Sequence, residues 1–526
     1  MPRIEEQVTE VLKALPPRVG EIPRAVMNRL PNQPALVEGT ETWTYAQLNT
    51  VVAATQAWLL SLGVRAGDRV MIVSENCRAF VALFFGCSEI DAWPVLVNAR
   101  ISAREIDAIR QHSGARRVLY TTESSPHAAE HAKEQNAAIS IQPNLGTIGV
   151  GPLNENARPE YLDPSVSDRV AALIYTSGTT GQPKGVMLTH RNLMFVAAIS
   201  AKIRGIAPED RVYGILPMTH AVGLSVVLLG TLLSGATLYV VPRFDPIAAR
   251  ASLENDKLTV VLGVPAMFAQ LLAYAKLRKI PSLQFPRLRI ISSSGAPLDP
   301  SVKAAVEKLF GLVLHNGYGV TECSPNIAQA RIEEIPNGTS VGRVFPGIEV
   351  KLVDADHKTV PDGEVGELWV RGPNVMKGYY RSPDETAAAI NSEGWFNTRD
   401  LARLEDGNLL FIVGRTKDLI VRFGFNVYPA EVEAVLNAHP AVVRSAVVGK
   451  TIGAEEHVIA FVELTPKSQA TTNDLFVYAS EQLASYKRPS QIVFVPEMPL
   501  TISGKVMKNE LSRMLDTNSA PSKTPR

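Results

Sequence analysis

Short, mostly apolar strand-like segments alternate with amphipathic helix-like segments up to about residue 340, and no other property of the sequence restricts the fold as strongly. Arg69–Val73 and Val170–Ile174 predict buried strands, and Thr44 is expected to cap the helix that follows it. Regular alternation of strand and helix is typical of helices packed on a largely parallel sheet. The sequence therefore predicts an α/β fold, with ligands at the carboxyl ends of strands.

Beyond about residue 340 the pattern changes to short strands and turns, as in Gly347–Asp354, which predicts a β-rich subdomain. A polar segment, Gly414–Asp418, then leads to a section of α+β character. We predict a large N-terminal α/β domain that includes the β-rich subdomain, residues 1–414, and a small C-terminal domain, residues 415–526. The end of the chain, residues 516–526, is polar and predicted to be frayed.

The composition and the N-terminal residues limit the expected partners, bound metals and location of the protein. Lys and Arg number 53 against 52 for Asp and Glu, so the charge gives no reason to expect nucleic acid or an anionic membrane surface as a partner. Three cysteines without a C-x-x-C pair form neither a disulfide framework nor a zinc site. The N-terminal residues lack the layout of a signal peptide, and a cytoplasmic location is expected.

One uncharged stretch, Ala221–Pro242, is long enough to cross a bilayer. Gly223, Gly230 and Gly235 interrupt it, and a turn is predicted near Gly235. We therefore expect a buried helix followed by a strand, and no transmembrane segment.

A loop rich in hydroxyl groups and glycine, Tyr175–Lys184, follows the predicted strand Val170–Ile174. Its glycines allow backbone N–H groups to turn toward a ligand, its hydroxyls add neutral donors, and Lys184 adds a movable positive charge. Such a set suits a triphosphate, although a flexible polar loop has a similar composition. The spacing matches neither the Walker pattern nor the dinucleotide-binding turn. The candidate phosphate-binding residues are Thr176, Ser177, Gly178, Thr179, Thr180 and Lys184.

Seven motifs follow one another in a familiar order: Y-T-S-G-T-T-G-Q-P-K-G, S-S-S-G-A-P-L, N-G-Y-G-V-T-E, G-W-F-N-T-R-D, G-R-T-K-D, G-F-N-V-Y-P-A-E-V-E and S-G-K-V-M-K. With them the chain resembles the acyl-adenylate-forming superfamily of acyl-CoA synthetases, peptide-synthetase adenylation domains and luciferases. The likeness is greatest to the fatty-acid and aryl acyl-CoA ligases, and it covers residues 30–515.

The resemblance implies two half-reactions. A carboxylic acid and ATP, with Mg²⁺, give an acyl-adenylate and pyrophosphate, and the thiol of coenzyme A then displaces AMP. The C-terminal domain is implied to be a mobile lid that rotates between the two steps about Lys417. The oligomeric state stays open, with a homodimer as one option.

The resemblance also assigns roles to individual residues. Lys505 would neutralise the reacting carboxylate and α-phosphate, although a lysine after glycine is ordinarily a solvated turn residue. Asp400 would accept from the ribose hydroxyls, and Tyr318 would stack on adenine. Glu322 would hold Mg²⁺ together with Thr176. The other implied residues for ATP, AMP or catalysis are Gly295, Ala296, Pro297, Asn316, Gly317, Gly319, Thr321, Arg415 and the pocket-flanking His220.

The expected acid pocket comprises His220, Val222, Gly223, Leu224, Val264, Met267, Ser294, Gly295, Gly319 and Cys323. Because this set contains no Asp, Glu, Lys or Arg, an apolar monocarboxylate is expected, a medium- or long-chain fatty acid before an aromatic acid. Coenzyme A is expected at Arg422, Gly424 and Phe425.

Two residues depart from the pattern of the superfamily. Arg399 stands where glycine is common, and Phe423 stands where a small or basic residue is usual. They put ribose and coenzyme A contacts at these points in doubt. Three other functions stay open: loading of a carrier protein, a luciferase-like oxidation, and a non-catalytic sensor. Retention of Lys505, Glu322, Asp400 and Arg415 speaks against the sensor.

Overall fold

The computed structural model describes residues 10–177, 183–334, 338–423, 425–452, 455–466, 468–501 and 505–517. Within these residues a first sheet has eight strands. Its central strands pair in parallel, whereas its edge strands are antiparallel. The spatial order is Gly378–Tyr379, Pro183–Thr189, Val170–Ser177, Trp93–Asn98, Arg69–Ser74, Arg117–Tyr120, Gly146–Val150 and Ala138–Gln142.

A second sheet has thirteen strands among the described residues. Parallel pairing runs from Pro34–Glu38 to Leu314–Gly319, and antiparallel pairing follows. The predicted β-rich subdomain is therefore continuous with the parallel sheet. The spatial order is Glu349–Val353, Val365–Arg371, Phe396–Glu405, Leu409–Arg415, Arg343–Val344, Asn326–Gln329, Leu314–Gly319, Ile290–Ser293, Val260–Gly263, Arg211–Gly214, Thr237–Val240, Pro34–Glu38 and Glu41–Thr44.

Two almost fully buried helices, Arg78–Glu89 and His190–Ile203, belong to a core that also contains side chains of both sheets. The predicted capping role of Thr44 is confirmed, because its side chain accepts from the backbone of Gln47. The remaining α-helices described before residue 400 are Ile22–Met27, Tyr45–Ser61, Ala103–Ser113, Pro126–Glu134, Gly230–Leu233, Pro246–Asn255, Pro265–Leu277, Pro300–Phe310 and Pro383–Ala389.

The uncharged stretch forms the predicted helix and strand. Val222–Leu229 is a π-helix that continues into Gly230–Leu233, and Thr237–Val240 is a strand of the second sheet. In the part of the chain that the structure describes, no helix is both long and apolar enough to cross a membrane.

The C-terminal section has its own core around the sheet Val442–Ile452, Glu455–Leu464 and Gln491–Val495. Its helices are Pro429–Asn437, Thr472–Gln482 and Lys508–Thr517, and a hairpin is formed by Ile420–Arg422 and Phe425–Val427. The predicted α+β character is confirmed. Of the end predicted to be frayed, residues 516 and 517 close the last helix, and residues 518–526 lie outside the described part.

Candidate active site

Two of the predicted motifs meet at the carboxyl edge of the second sheet. The strands Ile290–Ser293 and Leu314–Gly319 are parallel neighbours, and Ser293 at the end of the first pairs with Asn316 in the second. The first leads to Gly295, whose φ of +81° is a left-handed conformation that favours glycine. Of the residues next to it, Ala296 is half-buried and Pro297 is exposed. The second strand leads to the turn Thr321–Cys323.

The two glycines that flank Tyr318 differ in their surroundings. A Cβ atom at Gly319 would lie 2.0 Å from the carbonyl oxygen of Pro325, whereas a Cβ at Gly317 would meet Ala328 O at 3.5 Å. Glycine is thus required at 319 by the protein's own backbone. Asn316 is buried, and its side chain donates to Thr339 O.

Asp400 is buried at the centre of a polar cluster whose two basic members, Arg415 and Lys505, are exposed. The Tyr318 hydroxyl donates to its Oδ2, and Arg415 Nε lies 3.1 Å from its Oδ1. Asp400 and Arg415 are partners on adjacent antiparallel strands, which fixes this pair. Burial raises the pKa of Asp400, although Arg415, the Tyr318 hydroxyl and Lys505 act in the opposite direction. The structure therefore brings together four residues that the sequence motifs had placed in the same site.

Lys505 reaches this cluster from the C-terminal section. Its backbone N–H donates to Thr501 Oγ1 at 3.0 Å, and Leu500 and Val506 form a β-bridge. The side chain keeps solvent contact, yet the surrounding protein lowers the pKa of its ammonium group. Repulsion from Arg415 adds to this effect, and attraction to Asp400 opposes it.

A second polar group connects the phosphate-loop lysine to Glu322. Lys184 Nζ lies 2.7 Å from Glu385 Oε1 and 5.4 Å from the ring centre of Tyr379. The Tyr379 hydroxyl donates to Glu322 Oε1 at 3.0 Å. Tyr379 and Glu385 were not predicted from the sequence, since they belong to none of the seven motifs.

The remaining predicted phosphate-binding residues are described only in part. Thr176 is half-buried near the end of the strand Val170–Ser177, beside Lys184 on the neighbouring strand. The backbone of Ser177 closes that strand. Gly178, Thr179 and Thr180 lie outside the described residues.

Arg399 adds a cation to the same region. Its φ is +58°, in the left-handed region that favours glycine. Burial raises the pKa of the Tyr379 hydroxyl, Glu322 adds to that rise, and Arg399 opposes it. Arg399 therefore lies near the Tyr379–Glu322 pair, a placement that the sequence did not indicate.

A cavity opens beside Tyr318 where the acid was expected. Its volume is about 20 Å³, room for about one water molecule. Four predicted pocket residues line it, namely Val222, Ser294, Gly295 and Gly319, together with Gly317 and Tyr318 of the expected nucleotide site. Its other lining residues were not predicted: Arg204, Val226, Leu262, Ser292, Pro325 and Asn326.

The expectation of a pocket without charged side chains is wrong for this cavity, because Arg204 lines it. Arg204 is the C-cap residue of the helix His190–Ile203 and belongs to no motif. No sequence signal placed it here, since its position depends on how that helix packs against the strand Asn326–Gln329.

The other predicted pocket residues are not among those that line the cavity. They are His220, Gly223, Leu224, Val264, Met267 and Cys323. His220 keeps solvent contact at the start of the apolar π-helical segment, and the surrounding protein lowers the pKa of its imidazole. Cys323 is buried, and burial raises the pKa of its thiol. A Cβ atom at Gly223 would lie 2.0 Å from Pro217 O, so glycine is needed here for packing.

Two of the residues expected at the coenzyme A site, Arg422 and Phe425, lie on the hairpin of the C-terminal section. Arg422 donates to the carbonyl oxygens of Tyr486 and Arg488, and Phe425 stacks on Tyr486 at 4.7 Å between ring centres. Phe423 is exposed, with a φ of +52°. Gly424 lies outside the described residues. The expected hinge residue, Lys417, is exposed in the turn Thr416–Asp418.

Comparison with known proteins identifies the same two sections. Residues 23–380 match the family described as AMP-binding enzyme, and residues 431–505 match the AMP-binding enzyme C-terminal domain. A feruloyl-CoA synthase of Amycolatopsis sp is 35% identical over 488 residues, which cover 92% of this chain and 96% of the relative.

Two solved structures share this architecture. ATP-bound MatB from Rhodopseudomonas palustris superposes with a TM-score of 0.83 at 27% identity, over 95% of this chain and 100% of that one. The o-succinylbenzoate coenzyme A synthetase of Bacillus subtilis in complex with AMP gives 0.79 at 28% identity, over 93% and 98%.

Proposed function

We propose that this protein converts a compact, preferably aromatic, carboxylic acid into its coenzyme A thioester. The chain belongs to the family of AMP-binding enzymes and is an AMP-forming acid–thiol ligase. The observation that carries this proposal is the cluster of Asp400, Tyr318, Arg415 and Lys505 beside the cavity lined by Tyr318. Nucleotide and acid sites then share one wall, as a reaction between ATP and a carboxylate requires.

In the first half-reaction an acid oxygen attacks the α-phosphorus of ATP, and pyrophosphate leaves. Asp400 accepts from the ribose hydroxyls, with Arg415 holding the carboxylate in position. Lys505 lies close enough to Asp400 for electrostatic attraction, so its ammonium is at hand for the two anions that must approach each other. Thr321 donates to the α-phosphate.

ATP is expected to bind as its Mg²⁺ complex, and the residues present fit that ion. Glu322 uses Oε1 to accept from Tyr379, and among the described residues Oε2 has no hydrogen-bond partner. One carboxylate is sufficient, because Mg²⁺ keeps several waters and binds phosphate oxygens directly. Glu322 would hold the ion with Thr176, and the metal would neutralise phosphate charge.

In the second half-reaction the thiol of coenzyme A displaces AMP. We infer that the cofactor reaches the adenylate past the hairpin that carries Arg422 and Phe425, after the C-terminal domain turns about Lys417. Supporting this, Phe425 is more than half exposed and already stacks on Tyr486, which presents an aromatic surface to a bound molecule.

The cavity and the relatives both bear on the class of acid. Polar side chains, Arg204, Ser292 and Asn326, form part of the cavity wall, which disfavours a long aliphatic chain. One relative is named for feruloyl, the acyl group of an aromatic acid. An aromatic acid is therefore favoured here over the fatty acid that the sequence led us to expect.

The test is a mass-spectrometric search for thioesters after incubation with ATP, Mg²⁺, coenzyme A and a panel of aromatic and aliphatic acids. We expect acyl-CoA and AMP from at least one aromatic acid. Transfer only to an added phosphopantetheine carrier protein, with no acyl-CoA, would contradict the proposal and favour the carrier-loading alternative. Thioesters from long-chain fatty acids alone would contradict the proposed acid class.

A further inference from the structure

A buried guanidinium forms part of the wall of the acid cavity. Arg204 ends the helix His190–Ile203, is 7% exposed, and lines the same cavity as Ser294 and Tyr318. Burial lowers its pKa to about 9, so the group is cationic at neutral pH.

The protein provides hydrogen-bond acceptors for only some of the N–H groups of Arg204. Arg204 Nη1 donates to Ser200 O at 3.4 Å, to Ser200 Oγ, and to Gln329 Oε1 at 2.7 Å. Among the residues that the structure describes, neither Nη2 nor Nε of Arg204 has a hydrogen-bond partner, and Arg204 forms no ion pair with a carboxylate. Because Arg204 lines the cavity, its remaining N–H groups can donate to a molecule bound there.

Within the described part of the chain, no carboxylate is paired with this guanidinium. Gln329 is neutral, and its Oε1 also accepts from Asn326 Nδ2 at 3.0 Å and from Ser200 Oγ at 3.3 Å. His315 lies close enough to be repelled by Arg204, and burial together with that repulsion lowers the pKa of its imidazole. A buried cation without a counter-ion is costly, and a ligand anion at hydrogen-bond distance offsets that cost.

We propose that the acid carries a second carboxylate, at the end remote from the reacting one, and that this group pairs with Arg204. Ser292 and Asn326 line the same wall and offer neutral donors to such a group. The inference rests on the proposed function, since adenylation uses the first carboxylate and leaves the second for recognition.

The test compares pairs of acids that differ only in the distal group: terephthalate with 4-methylbenzoate, 4-carboxycinnamate with 4-methylcinnamate, and adipate with hexanoate. For each pair, kcat/KM is measured from pyrophosphate release with coenzyme A present. We expect at least one pair in which the wild-type enzyme prefers the dicarboxylate by about 100-fold or more, because an unpaired buried charge disfavours the methyl analogue.

Variants assign that preference to Arg204. Arg204→Met removes the charge at similar length, and it should lower the dicarboxylate-to-methyl ratio by about 50-fold or more, whereas Arg204→Lys should retain part of it. Arg331→Met is the matched control: Arg331 is also buried, but it is not among the cavity-lining residues, and the ratio should not change. Thermal unfolding checks that each variant folds.

Two results would overturn the inference: preference for the methyl analogue in every pair, or an unchanged ratio in Arg204→Met. Failure of the proposed function is a separate result, namely no thioester from any acid. In that case calorimetry of dicarboxylate binding, with a non-hydrolysable ATP analogue present, still decides. Weaker binding to Arg204→Met than to wild type supports the inference, and equal binding overturns it.

Discussion

Lys505 and Asp400 illustrate how neighbouring charges adjust one another in this site. The protein around Lys505 lowers the pKa of its ammonium, and burial raises the pKa of the Asp400 carboxyl. Their mutual attraction opposes both shifts. The surroundings thus disfavour the charged form of each group.

Replacement of Lys505 by alanine tests its assignment to the first step. We expect Lys505→Ala to slow pyrophosphate release by about 10²–10³-fold, since a cation that stabilises developing charge is lost. Thioester formation from supplied acyl-AMP should stay near the wild-type rate. Lys508→Ala is the control, because Lys508 pairs with Glu433 at 2.7 Å. Equal loss in both half-reactions would remove Lys505 from this role.

The lowered pKa of Lys505 also predicts a pH dependence. The ammonium is charged below its pKa, so adenylation should fall as the pH rises through a value below the ordinary 10.5. The kcat of pyrophosphate release at saturating acid would record this alkaline limb. Transfer from supplied acyl-AMP should lack it. An identical limb in both steps would assign the titration to another group.

At the scale of elements, the turn between the strands Leu314–Gly319 and Asn326–Gln329 brings Thr321 and Glu322 to the site. Its tightness depends on Gly319, against which the backbone of Pro325 packs. One short turn thus contains a glycine needed for packing and two residues proposed to bind the nucleotide and its metal ion.

Gly319→Ala should lower stability by about 2 kcal/mol or more, because its Cβ would lie 2.0 Å from Pro325 O and the turn would have to shift. Gly317→Ala is the matched comparison, with only an ordinary contact to Ala328 O at 3.5 Å. Denaturant unfolding of both variants measures the difference. Equal loss of stability in the two would refute the packing argument.

The turn Thr416–Asp418 is the element about which the C-terminal domain is proposed to rotate. Lys417→Pro fixes φ at this point, and we expect it to slow thioester formation about tenfold more than pyrophosphate release. Lys417→Ala leaves the backbone free and serves as the control. Single-turnover measurements of each half-reaction separate the effects, and unchanged acyl transfer in the proline variant would place the hinge elsewhere.

At the scale of the whole molecule, local patterns predicted what depends on neighbouring residues. Strand periodicity gave the buried segments around Arg69–Val73, and Thr44 capped its helix as expected. The motifs predicted Asp400, Arg415 and Lys505 as site residues, and the structure places them close together. Their meeting needs strands and domains far apart in the chain, so it came from resemblance and not from periodicity.

The site residues and sheet connections that the sequence did not predict depend on long-range packing. Arg204 becomes a cavity residue only because the helix that it ends lies against Gln329. Tyr379 reaches Glu322 from an edge strand of the other sheet. The β-rich segment continues the parallel sheet because strand pairing, which no local pattern encodes, joins Arg343–Val344 to Asn326–Gln329.

We propose that one site performs both half-reactions through an acyl-adenylate. Rapid-quench measurement of pyrophosphate from ATP, Mg²⁺ and a preferred acid tests it most directly, first without and then with coenzyme A. We expect a burst of about one pyrophosphate per enzyme without coenzyme A, and continuous turnover with equal amounts of AMP and acyl-CoA when coenzyme A is added. Release of ADP and phosphate, or a burst that coenzyme A does not relieve, would contradict it.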